Sequence, residues 1–195
     1  MERELTATEG EKKNLMKQLP SINKIGDDTL RDLVIEVWVR FWRESPYGDI
    51  SEAPNFTSGL SCGDETLVRH TNAVVNMAEA AAREFQKVYG VSLNYDNLLA
   101  GAVLHDVDKL VLYGYQGNSV ELTELGRKVT HGEYGARAAE QAGLSEQVVN
   151  IIASHSLIKR ETSPATIEAV LVSTCDWANF QSYRLMAGEG LWQTP

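Results

Sequence analysis

Apolar residues along this chain recur at helical spacing and never settle into a sustained two-residue alternation. From Thr29 to Trp42, the residues Leu30, Leu33, Val34, Val37, Trp38 and Phe41 fall on one face, and Asp28 is placed to cap the helix they predict. A longer helix is predicted from about Asp64 to Val88, with Leu67, His70, Val74, Met77, Ala81 and Phe85 on one stripe and Gly90 as its stop. Asn94 or Asp96 can open the next helix, which leads into LLAGAVLHDVDKL at residues 98–110. Further helices are expected over Leu122–Val129, His131–Ala142, Ser145–Ser156 and Pro164–Leu185, with Pro164 suited to a first turn. Residues 3–18 are charged and weakly periodic, as in a surface helix or a partly ordered arm. Two stretches lack a period: the turn-rich 113–120, and 45–64, whose Gly, Pro, Ser and Asn content and length fit a lid or binding loop. The pattern predicts an all-α fold.

Composition narrows the function classes. At 195 residues, 43% hydrophobic and 23% charged, the chain is expected to form one soluble globular domain. Its net charge of −9 disfavours non-specific nucleic-acid binding, which needs a basic surface, yet leaves room for a small anion held by a local Lys or Arg cluster. Cys62 and Cys175 have neither metal-knuckle spacing nor the look of a disulfide framework, so a reduced, cytoplasmic setting is expected. The N-terminal MERELTATEGEKK lacks the apolar core of a signal peptide, and no run approaches the length of a membrane span.

The chemistry concentrates where the apolar run at 98–104 ends in His105-Asp106, followed by Asp108 and Lys109. Burying such groups is costly unless something pairs with them, and a cation is an efficient partner. The four histidines of the chain, His70, His105, His131 and His155, each sit at a predicted helix end or on a core face. Asp176 lies inside the apolar run LVSTCDWANF, where an unpaired carboxylate would also be costly. Imidazole and carboxylate together suit Fe, Mn, Zn and similar divalent ions, and facing helices can bring sequence-distant ligands into one interior site.

The order His70 … His105-Asp106 … His131 … His155 … Asp176 resembles the HD-domain superfamily of metal-dependent phosphohydrolases, as do the contexts ETLVRHTNAVV, LLAGAVLHDVDK, THGEYGARAAEQAGL, VVNIIASHS and VLVSTCDWAN. The resemblance covers roughly Leu67–Phe180 and implies a helical bundle at 61–195, with residues 1–60 as an N-terminal helical extension and the start of the long loop. It implies two divalent ions: one on His70, His105, Asp106 and Asp176, the other on His131 and His155, with Asp106 bridging. Lys109 is implied as the contact to an anionic substrate; a solvent-facing lysine paired with Asp108 is the plain alternative. Asp108 itself departs from the family, where a small residue often stands, and its charge is expected to weaken phosphate binding.

Arg69, Arg127, Lys128, Lys159, Arg160 and Arg184 are further candidates to grip an anion, with Lys159 and Arg160 favoured because they follow His155 closely. Trp38, Phe41 and Trp42 read as core, Tyr47, Tyr113 and Tyr115 as candidates for a pocket mouth, and Cys175 as a small apolar packing residue. The function implied is a hydrolase that activates water on its metals and acts on a small soluble substrate, a phosphoester before a cyclic carbonyl or amide, with Asp106 and Lys109 as catalytic residues. The same ligand set also resembles di-iron oxygenases that cleave C–C or C–P bonds with dioxygen, and a metal-retaining module that only binds. No GYP follows the HD pair, which sets aside the cyclic-dinucleotide branch, and the oligomeric state is left open.

Overall fold

A computed structural model describes residues 6–58, 65–158 and 160–193. Its elements run α1 (Glu9–Gln18), α2 (Asp28–Glu44), α3 (Leu67–Tyr89), α4 (Tyr95–Leu104), the single turn α5 (Lys109–Leu112), β1 (Tyr113–Gln116), β2 (Ser119–Leu122), α6 (Glu133–Gln141), α7 (Glu146–Ser154) and α8 (Ile167–Met186). Helix α4 is the centre of this bundle. Every residue from Asn97 to Leu104 is buried, because the helix is apolar on all sides and packs against α2, α3, α7 and α8. Its contact with α7 is close at Gly101, where a Cβ would meet the Ile151 side chain at 2.5 Å.

The N-terminal residues share this core. Leu15, Ile22, Trp38 and Phe41 belong to the same hydrophobic cluster as Leu98, Leu104 and Ile152. Trp38 adds a hydrogen bond, its indole N–H donating to the carbonyl of Val103 at the end of α4 at 3.1 Å, so the buried donor is satisfied. Helix α1 starts with a capping box between Thr8 and Glu11 and buries Leu15, which makes it a docked helix.

Local chemistry shifts several predicted boundaries. Asp27, not Asp28, caps α2 by accepting from the Leu30 N–H at 3.0 Å. Asn94 caps α4, and Thr66 caps α3, which ends at Gly90 as expected. On α3, Met77 is 37% exposed, and the buried stripe instead runs through Leu67, His70, Val74, Ala78 and Ala82, while Ala81 and Phe85 are half-buried. Pro164 lies outside α8, whose cap is Thr166. The predicted helix at Leu122–Val129 is a series of turns, and the turn-rich 113–120 is mostly an antiparallel hairpin closed by Gly117-Asn118. Gly117, at φ 61°, takes the left-handed conformation such a two-residue turn requires. Part of the 45–64 loop is ordered by pairing: Pro54 bridges Thr66, and the Leu67 N–H donates to Ala53 O at 2.9 Å, tying the loop to the start of α3. Cys62 lies outside the described residues.

Candidate metal centre

The geometry begins at two helix ends. His105 and His155 are the C-caps of α4 and α7, and each turns its Nδ1 onto a carbonyl three residues back, Ala102 O at 2.7 Å and Ile152 O at 2.6 Å. These carbonyls belong to the last turn, which has no N–H of its own helix to accept from, so a histidine there satisfies the helix end and aims its Nε2 outward. His70 projects from the second turn of α3 with Nδ1 2.8 Å from Asn179 Oδ1 on α8. His131 precedes α6 and places Nδ1 2.7 Å from Asp108 Oδ1.

With all four Nδ1 atoms on oxygen acceptors, each neutral ring carries its proton there and faces the centre with an Nε2 lone pair. Yet His70 Nε2 lies 3.3 Å from His105 Nε2, and His131 Nε2 3.2 Å from His155 Nε2. Two lone pairs at that distance repel unless a cation lies between them. Asp106 stands at the middle, 1% exposed. Its Oδ2 is 3.2 Å from His70 Nε2 and 3.3 Å from His105 Nε2; its Oδ1 is 2.8 Å from His131 Nε2 and 3.3 Å from His155 Nε2. Asp176, on α8, completes the first group with Oδ1 3.1 Å from His70 Nε2.

Bonds of about 2.0–2.1 Å to a divalent ion put neighbouring donors roughly 2.9–3.4 Å apart; the separations given above lie at or close to that range, while His105 Nε2 and Asp176 Oδ1 are wider apart at 4.0 Å. Two donor groups result, His70, His105, Asp106 and Asp176 in one, Asp106, His131 and His155 in the other. Both suit divalent metal binding by donor type and burial.

The protein's own charges are consistent with a site built around a carboxylate. Burial alone would lower the His70 pKa, but hydrogen bonds to Asp106 and Asp176 reverse this and raise it to about 9, so the same carboxylates that favour a cation at Nε2 favour a proton there in its place. Burial likewise disfavours the Lys109 ammonium, and the facing Asp106 charge more than restores it, raising its pKa. Lys109 is buried; Nζ lies 2.6 Å from Asp106 Oδ2 and 3.0 Å from Asn55 Oδ1. It is therefore neither solvent-facing nor paired with Asp108. The Asp108 carboxylate is also fully buried, directed at His131 and at the N–H groups of Gly132 and Gly135 at 2.9 and 3.1 Å. Its charge is met there, and Asp108 is not among the residues that line the cavity over the centre. Gly132 takes φ 84° and packs against His155, whose ring a Cβ would meet at 3.1 Å, while a Cβ on Gly135 would sit 3.4 Å from the Asp108 carboxyl carbon.

A cavity of about 550 Å³ opens over the centre, with Asp106, Lys109, His131, His155 and Asp176 among its lining residues. Phe56, Trp177 and Phe180 form an aromatic part of its wall, with ring centroids 5.3 Å apart between Phe56 and Phe180 and 5.6 Å between Trp177 and Phe180. Arg127, Lys128 and Tyr113 also line it. Arg69 and Arg160 are exposed and do not line it, Tyr47 is buried with its hydroxyl donating to Tyr113 O, and Tyr115 is 58% exposed. Lys159 lies outside the described residues. Asn55, Phe56 and Asn179 were missed in the sequence. Asn179 stands one helical turn beyond Asp176, a spacing that could have flagged it; the two loop residues carry no such signal.

The HD-domain family model matches residues 67–178. Dihydroneopterin 2′,3′-cyclic phosphate phosphodiesterase from Methanocaldococcus jannaschii is 28% identical over 67% of this chain and 52% of its own length. Ribonuclease Y from Thermotoga petrophila is 30% identical over 57% of this chain and 18% of its own, and Ribonuclease Y from Rubrobacter xylanophilus 27% over 68% and 22%. The chain thus spans about half the length of the first relative and about a fifth of the other two. No solved structure matches significantly. Family match and ligand geometry agree, and the chain belongs to the HD-domain family.

Proposed function

We propose that this chain is a metal-dependent hydrolase that opens or cleaves a small phosphoester, a cyclic phosphodiester first. The observation that carries the reading is the arrangement at Asp106: one buried carboxylate between two histidine pairs, with the Lys109 ammonium against it at the base of a cavity. His70, His105, Asp106 and Asp176 would hold one divalent ion, and Asp106, His131 and His155 a second. Such ions, when bound, make a water nucleophilic near neutral pH and offset charge on phosphoryl oxygens. Asp106 offers an oxygen to each donor group and so would hold like-charged ions together. Lys109 keeps its proton, and donates to a non-bridging phosphoryl oxygen as negative charge builds there.

The donor set alone would suit iron-based oxygen chemistry equally. The buried ammonium favours phosphoryl transfer, because it is placed for an anion. The cavity has the size of a single small ligand, and the net charge of −9 opposes a polyanion; both favour a monomeric substrate, as named for the Methanocaldococcus relative, over RNA. The test is turnover of 2′,3′-cyclic AMP and of dihydroneopterin 2′,3′-cyclic phosphate by manganese-loaded protein under dinitrogen. Ring opening that vanishes with chelator and in Asp106→Asn supports the reading. Turnover only with dioxygen, or cleavage of RNA with neither cyclic phosphate touched, overturns it.

A further inference from the structure

The two donor groups are unequal. The first has four donors, two of them carboxylates; the second has three, and its one carboxylate, Asp106, is shared with the first. The histidines differ in a complementary way. His70, His105 and His155 rest Nδ1 on neutral oxygens, those of the Asn179 amide and of the Ala102 and Ile152 peptides. His131, in the poorer group, rests Nδ1 on the carboxylate of Asp108 at 2.7 Å.

We propose that Asp108 is a positioning residue that sets the tautomer of His131 and strengthens it as a donor, offsetting the missing carboxylate of the second group. This rests on the two-ion reading above. A negative charge on the Nδ1–H side increases electron density at Nε2 and fixes the ring plane. Asp108 is itself fixed, because its other oxygen accepts from the Gly132 and Gly135 N–H groups, so the carboxylate cannot rotate away from the ring. The pair also spans two parts of the chain: Asp108 follows directly from the His105-Asp106 segment, and His131 leads into α6.

An Asn at 108 has the same shape but one acceptor oxygen and an NH2 that only donates. If its NH2 faces His131, the ring must move its proton to Nε2, where it can no longer take an ion, as in the wrong-tautomer outcome known for triad aspartates. If the NH2 faces the glycines instead, it meets two N–H donors.

The experiment is calorimetric titration of chelator-stripped wild type and Asp108→Asn with Mn2+ alone. One of two equivalents should weaken about 10–100-fold, the other by less than about threefold. Unchanged affinities, or equal weakening of both, overturn the proposal. Where Asp108→Asn does not fold, the zinc-loaded wild type labelled with 15N-histidine gives an independent answer. His131 should show a slowly exchanging proton on Nδ1 and none on Nε2, and the reverse overturns the assignment. Wild type that takes up fewer than two ions contradicts the two-ion reading, while the nitrogen spectrum still reports on Asp108.

Discussion

Lys109 Nζ lies 2.6 Å from Asp106 Oδ2, and both side chains are buried at the base of the cavity. A third residue, Asn55, holds the same ammonium from the loop before α3. The ammonium keeps its charge because it faces a carboxylate, and it lines the cavity; in the reaction proposed above it would meet the ligand anion.

Replacing Lys109 with Met keeps the stem and removes that charge. We expect kcat/KM on a cyclic phosphate to fall on the order of 10²-fold, with metal content retained. Steady-state kinetics alongside elemental analysis checks this, and unchanged kinetics would place Lys109 outside the reaction.

Asn55 acts on the same group from outside the region the family model covers. Asn55→Ala leaves Lys109 with Asp106 as its remaining described acceptor, and the expected result is a smaller loss than for Lys109→Met, on the order of tenfold. A loss larger than that of Lys109→Met would mean that Asn55 has a separate role.

Gly101→Ala tests the packing that sets His105 beside His155. The added methyl would lie 2.5 Å from Ile151 Cγ2, so α4 and α7 must part. Destabilisation of about 1–3 kcal/mol is expected in urea unfolding, with partial recovery in the double variant with Ile151→Ala. A Gly101→Ala protein as stable as wild type would show that the helices are not this close.

Acid stability is expected to depend on Asp49. Its carboxyl is lowered from 3.8 to about 2, first by the Ser51 hydroxyl, with the Ser51 N–H, Asn14 and Gln18 adding to this against the opposing effect of burial. A lowered folded-state pKa stabilises the fold above 3.8 and the contribution is lost as the pH falls through about 2. Urea midpoints across that range should fall less steeply for Asp49→Asn than for wild type. Parallel curves would remove Asp49 from the acid response.

Much of this arrangement was legible in the sequence because its signals are local. The apolar run before His105 announces a helix buried on all sides, and helical spacing places His70 on the inner face of α3. The six histidine and aspartate positions singled out from the chain converge on one centre. What escaped depends on tertiary docking or on turn chemistry. Gly117-Asn118 is a two-residue hairpin signal, but the strands it joins are four residues each and too short to show alternation. Asn55 and Phe56 reach the centre because Pro54 pairs with Thr66, a contact no periodicity encodes. Asp108 looked like a misplaced charge since its partners, His131, Gly132 and Gly135, lie more than twenty residues away.

Asp106, with one oxygen in each donor group, is proposed to join two separate ion sites. The most direct measurement of this bridge is the number of Mn2+ ions bound by wild type, His70→Ala and His155→Ala, read by elemental analysis after equilibrium dialysis. Two ions in wild type and one in each variant, with none firmly held in Asp106→Ala, is the expected result. A single ion in wild type, or one lost together by both histidine variants, would contradict it.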